Sequence, residues 1–415
     1  MEILQSNLKK GEKMKKILFL GGTYTQVHAI KKANDLGYYS IVTDYKKHAP
    51  GKQYAMESYD ISTLDKDAVL DLSRKLQIDG IISYSVDTPA ITAAYVAEKM
   101  DLPGHPLKSV EILTNKDLFR KFLIENDFNC PKAIGYNSYN IDEIIENCKV
   151  LKKTIMVKPV DSTGSRGISI IKDINDINEI SNKIKYAQKY SRSGNFVLEE
   201  YVDGIQVSGD LFVVNGNIEF FSYGKEYFYN LSIKAHSFSE SFRDSNIENK
   251  MYNIAKSIIS KLNIVTGVCN YEARINENND IVLIEFTPRN AGNLTPILIK
   301  YSTGLDITEL LLKSALGIKF DLDIFNDKSV KGHWAYYVIR PDKAGKFKKL
   351  EIDDYLEKNI VELNMLSKLD DIYGENDIEY GTIAIMIMKF ESLSELEDKI
   401  NNMYKYIKIN IEINI

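Results

Sequence analysis

Cysteine is scarce in this chain of 415 residues: three in all, Cys130, Cys148 and Cys269, far apart and odd in number. Neither a disulfide framework nor a zinc site fits that pattern, and reduced thiols of a cytoplasmic protein are the plain reading. Long apolar runs are also missing. No stretch approaches the ~18 residues of a membrane span, and no apolar signal core precedes Lys13. Positive charge is not in excess either: 53 Lys and Arg against 58 Asp and Glu give a formal net charge of −5, which argues against a nucleic-acid partner. A local basic pocket for phosphates is still allowed. Tryptophan occurs once, at Trp334, and reads as core packing. There is no internal repeat, no low-complexity tract and no Ser-His-Asp or Cys-His nucleophile signature.

What is present is an ordinary folded composition, 44% hydrophobic and 27% charged, at a length that suggests two to four domains. Residues 1–13 read as a flexible extension, with Met14 an alternative start. From there Ile17–Leu20, Ile41–Thr43 and Ile81–Tyr84 read as strands, alternating with helices to Leu36, over 64–77 and over 88–100. That alternation predicts a parallel sheet covered on both faces, a Rossmann-like domain over 14–110. Gly21-Gly22-Thr23 lacks the spaced third glycine of a dinucleotide fingerprint and reads as a tight strand-to-helix turn. A carboxylate could still sit on the N–H groups of the helix that follows.

Pro103 and Pro106 mark a connection. Beyond it lie a helix over 115–126, strands at 155–160, 169–171 and 196–198, and a helix over 174–190. A hairpin follows around Asn215-Gly216, then a helix over 248–262 and strands at 269–275 and 281–286. Asp306 is placed to cap a helix running to Ala315. After Gly317 the chain reads as a small α+β domain over 321–415, with strands at 333–339, 381–388 and 407–415 and a helix over 392–405. Lys346, Lys348 and Lys349 read as a solvated loop.

Chemistry concentrates in a few places. Val157-Lys158-Pro159 is a strand that delivers a lysine, followed by the loop 161–167, rich in Gly, Ser and Thr. Such a loop can lay backbone N–H groups and hydroxyls around phosphates while the lysine supplies a compact positive charge. Two carboxylates, Glu272 and Glu285, come about 115 residues later on neighbouring strands, with Arg289 just after. Two acids so placed can share a magnesium ion with phosphate oxygens. Together these parts suggest an enzyme that binds ATP and magnesium and activates a carboxylate.

In order and kind these motifs resemble the ATP-grasp superfamily, over about residues 14–320. The branch resembled includes biotin carboxylase, carbamoyl phosphate synthetase and, most closely, L-amino-acid ligases. The resemblance implies an ATP-grasp domain over 111–320 with a lid subdomain at about 130–195. It implies phosphate contacts by Lys116 and Lys158 and a mobile lid containing Ser162, Thr163, Gly164, Ser165 and Gly167. It implies an adenine-reading strand at Glu199, Glu200, Tyr201 and Val202, and ribose contact by Gln206, where the family often has glutamate. Glu272 and Glu285 match the magnesium acids. Thr287 stands where asparagine is common, so the position falls to Thr287, Asn290 or a water. Two Mg2+ ions are implied, with Mn2+ able to substitute.

Arg289 matches the arginine that steadies the transferring phosphoryl group and, with Lys158, is implied as catalytic. Asn290, Gly292 and Asn293 belong to a segment that either offers N–H groups to a substrate carboxylate or merely ends before the helix at Pro296. The stretch 223–246, holding Tyr223, Lys225, Tyr227, Tyr229, Lys234, His236 and Arg243, is expected to border the substrate cavity, with His236 a candidate substrate contact. The activity implied is an ATP-dependent carboxylate–amine ligase working through an acyl phosphate. A carboxylase that activates bicarbonate, or a non-catalytic ATP-binding protein, are the alternatives. Small-molecule carboxylate and amine substrates and a homodimer complete the expectation, with no nucleic-acid or membrane partner.

Overall fold

The computed structural model describes residues 14–151, 154–242, 245–375 and 381–413. The extension at 1–13 and Arg243 lie outside these residues. The chain opens with β1 (Lys16–Leu20), α1 (Tyr24–Asp35), β2 (Tyr39–Thr43), β3 (Glu57–Tyr59), α2 (Lys66–Leu76), β4 (Gly80–Ile82) and α3 (Ala90–Lys99). The four strands are parallel, in the order β3-β2-β1-β4. β1 is buried at every position after Lys16, as a parallel strand covered on both faces must be. β3 has no apolar pattern to announce it, only Glu57, Ser58 and Tyr59.

The turn after β1 is closed by the chain itself. Gly21 sits at φ +105°, and a Cβ there would meet Gln26 Nε2 at 2.6 Å. Gly22 N–H donates to Asp44 Oδ2 (2.9 Å) and Thr23 N–H to Gln26 Oε1 (2.7 Å). Two donors that an anion would need are therefore occupied, and the glycine turn serves the strand-to-helix junction rather than a carboxylate ligand.

Two helices, α4 (Leu107–Thr114) and α5 (Lys116–Glu125), lead to a four-stranded antiparallel unit. It comprises β5 (Ala133–Tyr136), α6 (Ile141–Leu151), β6 (Ile155–Pro159), β7 (Ser169–Ile171), α7 (Ile177–Tyr190) and β8 (Phe196–Glu200), with strand order β5-β8-β6-β7. Ile155, Val157, Phe196 and Leu198 pack on Ile144, Cys148, Ile180 and Ile184 of the two helices. By the two-residue period of a strand, the opposite face carries Met156, Lys158, Val197 and Glu199, paired Lys158 to Val197 and Met156 to Glu199.

The largest sheet is built from β9 (Ile205–Val214), β10 (Asn217–Phe221), β11 (Gly224–Tyr229) and β12 (Ser232–Ser239). After α8 (Ser245–Lys261) come β13 (Gly267–Ile275) and β14 (Ile281–Thr287), then α9 (Thr295–Thr303) and α10 (Ile307–Ala315). The remaining elements are β15 (His333–Ile339), β16 (Gly345–Ile352), α11 (Asp354–Glu357), β17 (Ile360–Met365), β18 (Ile372–Tyr373), β19 (Ala384–Phe390), α12 (Leu393–Asn401) and β20 (Ile407–Glu412). The sheet order is β14-β13-β9-β11-β12-β15-β19-β17, with β10 against β9. Three strands from beyond residue 320 thus extend the same sheet, while β18, β16 and β20 form a separate one.

Met251, Ala255, Ile258 and Ile259 of α8 cover one face at Leu211, Val213, Cys269 and Tyr271. On the other face Phe212, Val268, Phe238 and Tyr336 join Trp334, α9, α10 and β1 in one core. Lys346, Lys348 and Lys349 are on β16, not in a loop; Lys348 meets Asp370 (2.9 Å) and Glu412 (2.8 Å) at the surface. The expected final strand stops at Glu412, and residues 414–415 lie outside those described. Among the described residues no helix is long and apolar enough to cross a membrane.

Candidate active site

Cross-strand register puts a row of polar side chains on one face of the large sheet. Residues directly opposite in neighbouring strands share a face. Arg274 lies opposite Gln206, Glu272 opposite Ser208 and Asn270 opposite Asp210 between β13 and β9. Glu272 also faces Glu285, and Asn270 faces Thr287, on β14. Glu226 on β11 faces His236 on β12, which faces Tyr336 on β15. The Lys158–Glu199 face of the smaller sheet supplies a second wall, and α5 ties the two together.

Lys116 is the first residue of α5, whose start is capped by Asn115 Oδ1 accepting from the N–H groups of Asp117 (3.0 Å) and Leu118 (3.1 Å). Its ammonium reaches Glu285 Oε1 (3.1 Å) and the carbonyl of Ser162 (3.2 Å). It therefore bridges the acid on β14 and the Gly-Ser loop. Burial works against its charge, but Glu285 raises the Lys116 pKa overall.

Lys158 Nζ lies 2.5 Å from Glu199 Oε1. Arg120, one turn after Lys116 on α5, holds both Glu199 oxygens (Nε to Oε2 and Nη2 to Oε1, each 3.2 Å) and donates to the Ile284 carbonyl (2.7 Å). Burial alone would raise the Glu199 carboxyl, but Arg120 and Lys158 together hold it at about 2. Burial lowers Lys158, with Glu199 opposing. Glu199 is thus part of a buried ion triad, where the sequence suggested it would face a base. Arg120 was not anticipated; the signal was a second cation four residues after Lys116 on one helix face.

Glu200 receives the Lys132 N–H on its carboxylate (3.0 Å), and its own N–H donates to the Lys132 carbonyl (2.9 Å). Val202, the last residue of the stretch expected to read adenine, lies between β8 and β9. Tyr201 OH accepts from Arg274 Nη1 (3.2 Å), with the guanidinium 5.0 Å over its ring. In the loop, Gly164 and Gly167 have φ +64° and +80°, and a Cβ on Gly167 would meet Tyr190 Cβ at 2.7 Å. Thr163 is half-buried, Ser162 Oγ donates to the Arg166 carbonyl (3.0 Å), and Ser165 Oγ donates to the Leu231 carbonyl (3.1 Å) at the β11–β12 turn. The loop therefore spans the gap between the two sheets.

Gln206 Nε2 donates to Glu226 Oε2 (2.9 Å) and Glu272 Oε2 (3.2 Å), while its Oε1 accepts from Arg274 Nε (3.2 Å). Ser208 Oγ donates to Glu226 Oε1 (2.6 Å), which leaves its lone pairs to accept from His236 Nε2 (3.2 Å). That fixes the tautomer, and His236 Nδ1 accepts from Thr295 Oγ1 (3.4 Å). Both ring nitrogens are engaged, and burial pushes the imidazole down to about 3, so His236 is neutral and internally committed. Its direct contact with a substrate, expected from sequence, does not fit this arrangement.

The other residues singled out in 223–246 part company with it. Lys225 pairs with Glu397 (3.0 Å), Tyr227 packs on the core under β15 and β19, Tyr229 OH meets Tyr337 OH, and Lys234 lies 5.0 Å over the Tyr229 ring. The β11–β12 hairpin turns these away from the face that carries Glu226 and His236, so the stretch as a whole does not line one cavity.

Among the described residues no group of three or more His, Cys, Asp or Glu could hold a metal alone. Two carboxylates and a hydroxyl suit Mg2+, which takes its remaining ligands from phosphate oxygens and water. Thr287 Oγ1 is buried and has no partner among the described residues, beside Glu285 on the same face. Burial, then Glu226 and Glu285, hold the Glu272 carboxyl well above its usual range. Burial opposes ionisation of Glu285 too, but Lys116 wins and lowers it. This donor set fits a divalent cation.

Arg289 is buried; its Nε donates to Asp87 Oδ1 (2.5 Å) and Nη1 to the Asn290 carbonyl (2.9 Å). Asn290 Nδ2 donates to Ser85 Oγ (2.6 Å) and the Ala291 carbonyl (3.0 Å), and its Oδ1 accepts from Ser85 N–H (3.2 Å). Asn290 thus fastens the β4–α3 loop and is not available as a metal or substrate ligand. Asn293 Nδ2 donates to Tyr336 OH (3.2 Å), and Gly292 has open space around its Cα. Asp210 Oδ1 accepts from Ala291 N–H (2.8 Å) and Asn270 Nδ2 (3.2 Å); its Oδ2 is buried without a partner among the described residues.

Residues 151–297 match the family model of the ATP-grasp domain. The chain is 28% identical over 191 residues, 45% of its length, to a formate-dependent phosphoribosylglycinamide formyltransferase of Aliivibrio fischeri, of which the match spans about half (48%). Among solved structures, an L-amino acid ligase from Bacillus licheniformis superposes with a TM-score of 0.82 at 17% identity, covering 97% of this chain and 100% of that one. The biotin carboxylase domain of a Hydrogenobacter thermophilus 2-oxoglutarate carboxylase, a dimer solved with MgADP and bicarbonate, gives 0.74 at 15%, covering 96% and 92%. At such identities the superpositions establish the fold: an ATP-grasp architecture with a parallel-sheet domain ahead of it and α+β structure after it.

Proposed function

We propose that this ATP-grasp protein is an ATP-dependent carboxylate–amine ligase that forms an amide through an acyl phosphate. The observation that carries this reading is the bridge made by Lys116. One ammonium joins Glu285, a magnesium acid in the proposal, to the loop that would cover the phosphates. Residues 14–110 are read as the preceding domain, 111–320 as the ATP-grasp domain with its lid at about 130–195, and 321–415 as the C-terminal domain.

In this reading Lys116 and Lys158 hold phosphate oxygens, and the loop from Ser162 to Gly167 covers them and excludes water. Glu272, Glu285 and Thr287 would hold Mg2+, two ions in the full set, which when bound would neutralise phosphate charge. A substrate carboxylate oxygen attacks the γ-phosphorus; the O–P bond forms and ADP leaves. The amine nitrogen then attacks the acyl carbon. A C–N bond forms, the C–O bond to phosphate breaks, and the nitrogen gives up a proton. Arg289 stabilises charge on the transferring group. The protein's part is placement and charge neutralisation, and no nucleophilic side chain is required.

A second reading, activation of bicarbonate as carboxyphosphate, is supported by the superposition on a domain solved with bicarbonate. Phosphate release from MgATP across amino acids, singly and in pairs, and with bicarbonate alone, separates the two, with Glu285→Gln as the control. Release that needs a particular amino-acid pair supports the ligase; release with bicarbonate alone moves the assignment to a carboxylase. A cytoplasmic homodimer, and Mn2+ replacing Mg2+, belong to the same proposal.

A further inference from the structure

Arg289 sits in the loop after β14, yet the residue that holds its side chain comes from the other end of the chain. Asp87 lies in the β4–α3 loop of the N-terminal unit, 202 residues away in sequence, and its Oδ1 is 2.5 Å from Arg289 Nε. A guanidinium has five N–H donors in a rigid plane. Asp87 takes the Nε donor and the Asn290 carbonyl takes one on Nη1, which leaves three. Among the described residues none of those three has a partner, although the side chain is only 9% exposed. Fixing Nε fixes the plane, and the terminal fork is left for an anion. The same loop is clamped by two bonds between Ser85 and Asn290 and by Ser85 Oγ donating to the Ala291 carbonyl (2.9 Å).

We propose that Asp87 is a positioning residue: through it the N-terminal unit aims the free fork of Arg289 at the anionic group transferred or bound in the cleft. The inference rests on the ligase reading for the identity of that group, but not for the geometry. A carboxylate acting this way fixes direction without touching substrate. Loss of Asp87 frees the guanidinium to turn toward Glu272 and Glu285, the acids that also act on its charge.

The test uses the full chain with Asp87→Ala, Asp87→Asn and Asp87→Glu, and Tyr84→Phe as the control. The last removes the Tyr84 OH bond to Thr308 Oγ1 (2.8 Å), loosening the same junction without touching Arg289. Phosphate release from MgATP is followed with the twenty amino acids pooled, alongside ADP affinity and thermal melting. Asp87→Ala should lower kcat by about tenfold to a hundredfold and leave ADP affinity within about twofold of wild type. Asp87→Asn, which keeps the acceptor, should recover most of the rate, and Asp87→Glu, which moves it by one methylene, should not. An Asp87→Ala rate within about twofold of wild type, or an equal loss in Tyr84→Phe, overturns the proposal. If the wild type turns over none of these amino acids, the ligase reading fails by itself. Crystal structures of wild type and Asp87→Glu with MgADP then decide: a displaced Arg289 side chain upholds the proposal and an unmoved one overturns it.

Discussion

Glu272 and Glu285 stand directly opposite each other on β13 and β14, with the register slipping by one residue just beyond Glu272. A β-bulge at such a place re-aims side chains. Among the described residues the pair has one direct cationic partner, Lys116, and it sits on Glu285. Like charges face each other across a strand pair, an arrangement that costs stability until a cation arrives. Glu285→Gln should lower magnesium-dependent turnover by about a hundredfold or more. Glu272→Gln should raise the Tm of the metal-free protein at pH 8 while abolishing the further rise given by MgADP. Differential scanning calorimetry with and without MgADP reads both effects, and a fall in the metal-free Tm of Glu272→Gln would contradict the account.

Arg120 and Lys158 neutralise Glu199 in the interior between the four-stranded sheet β5-β8-β6-β7 and α5. Removing Arg120 leaves Lys158 to balance Glu199 but strips the carboxylate of two charged hydrogen bonds and the Ile284 carbonyl of its donor, at about 1.5–3 kcal/mol for a hydrogen bond to a charged group. Arg120→Met should therefore destabilise the protein by that order, read as a lower urea midpoint with an unchanged slope. Because Glu199 is held at about 2, it stays ionised in the fold below its ordinary value of 4.5. Its contribution is complete above that ordinary value and is lost as pH falls from there toward 2. In Arg120→Met the acid limb should still begin near 4.5 but level off at a higher pH and span less stability, because the folded-state value rises.

Gly224 has no side chain because His236 needs its place. A Cβ there would stand 2.5 Å from His236 Nε2 and 2.6 Å from the Ser237 carbonyl. Gly224→Ala should push the imidazole off Ser208 and break the line from Thr295 through His236 and Ser208 to Glu226. The expected cost is about 1–3 kcal/mol, with a rise in KM for substrate but unchanged ADP affinity. Thermal melting and an ADP titration on one preparation measure both.

The parts of the fold legible in the sequence were those with short-range signals. The apolar runs of β1 and β6, Asn215-Gly216 between β9 and β10, and the face of α8 all announce themselves locally. The candidate site's cations and acids stood out in the sequence for the same reason: Lys158 lies in an apolar strand and Glu285 in another. What escaped were relations across distance. Asp87 carries no local sign that it will meet Arg289. Glu226 and Ser208 become site residues only through the register of β11 on β9, which no stretch of either strand reveals. The β11–β12 hairpin was hidden because Lys, Tyr and Ser alternate there without an apolar face, one side packing on other strands and the other facing the cleft. Asn290 looked like a ligand because an amide after an acid often is one, but its partner Ser85 lies 205 residues earlier.

Asp210 shows how such a relation becomes measurable. It is fully buried, accepts from Ala291 N–H and Asn270 Nδ2, and among the described residues has no cation bonded to it. Burial pushes its carboxyl up to about 7, with the Ala291 N–H and the Arg289 charge only partly opposing. A carboxyl raised in the fold binds a proton that the unfolded chain releases at lower pH. Its folded form is therefore favoured below the unfolded value of 3.8, and that advantage drains away as pH rises to about 7. Asp210→Asn keeps an oxygen for Ala291 N–H and has no charge to bury. Between pH 4 and pH 7 the mutant should gain on the wild type by about 3–4 kcal/mol, at roughly 1.4 kcal/mol for each pH step, and the gain should level off above pH 7. Urea unfolding at matched ionic strength across that range tests the sign. Parallel curves would mean that Asp210 is ionised in the fold, and the Ala291 loop would then be held by a charged rather than a neutral acceptor.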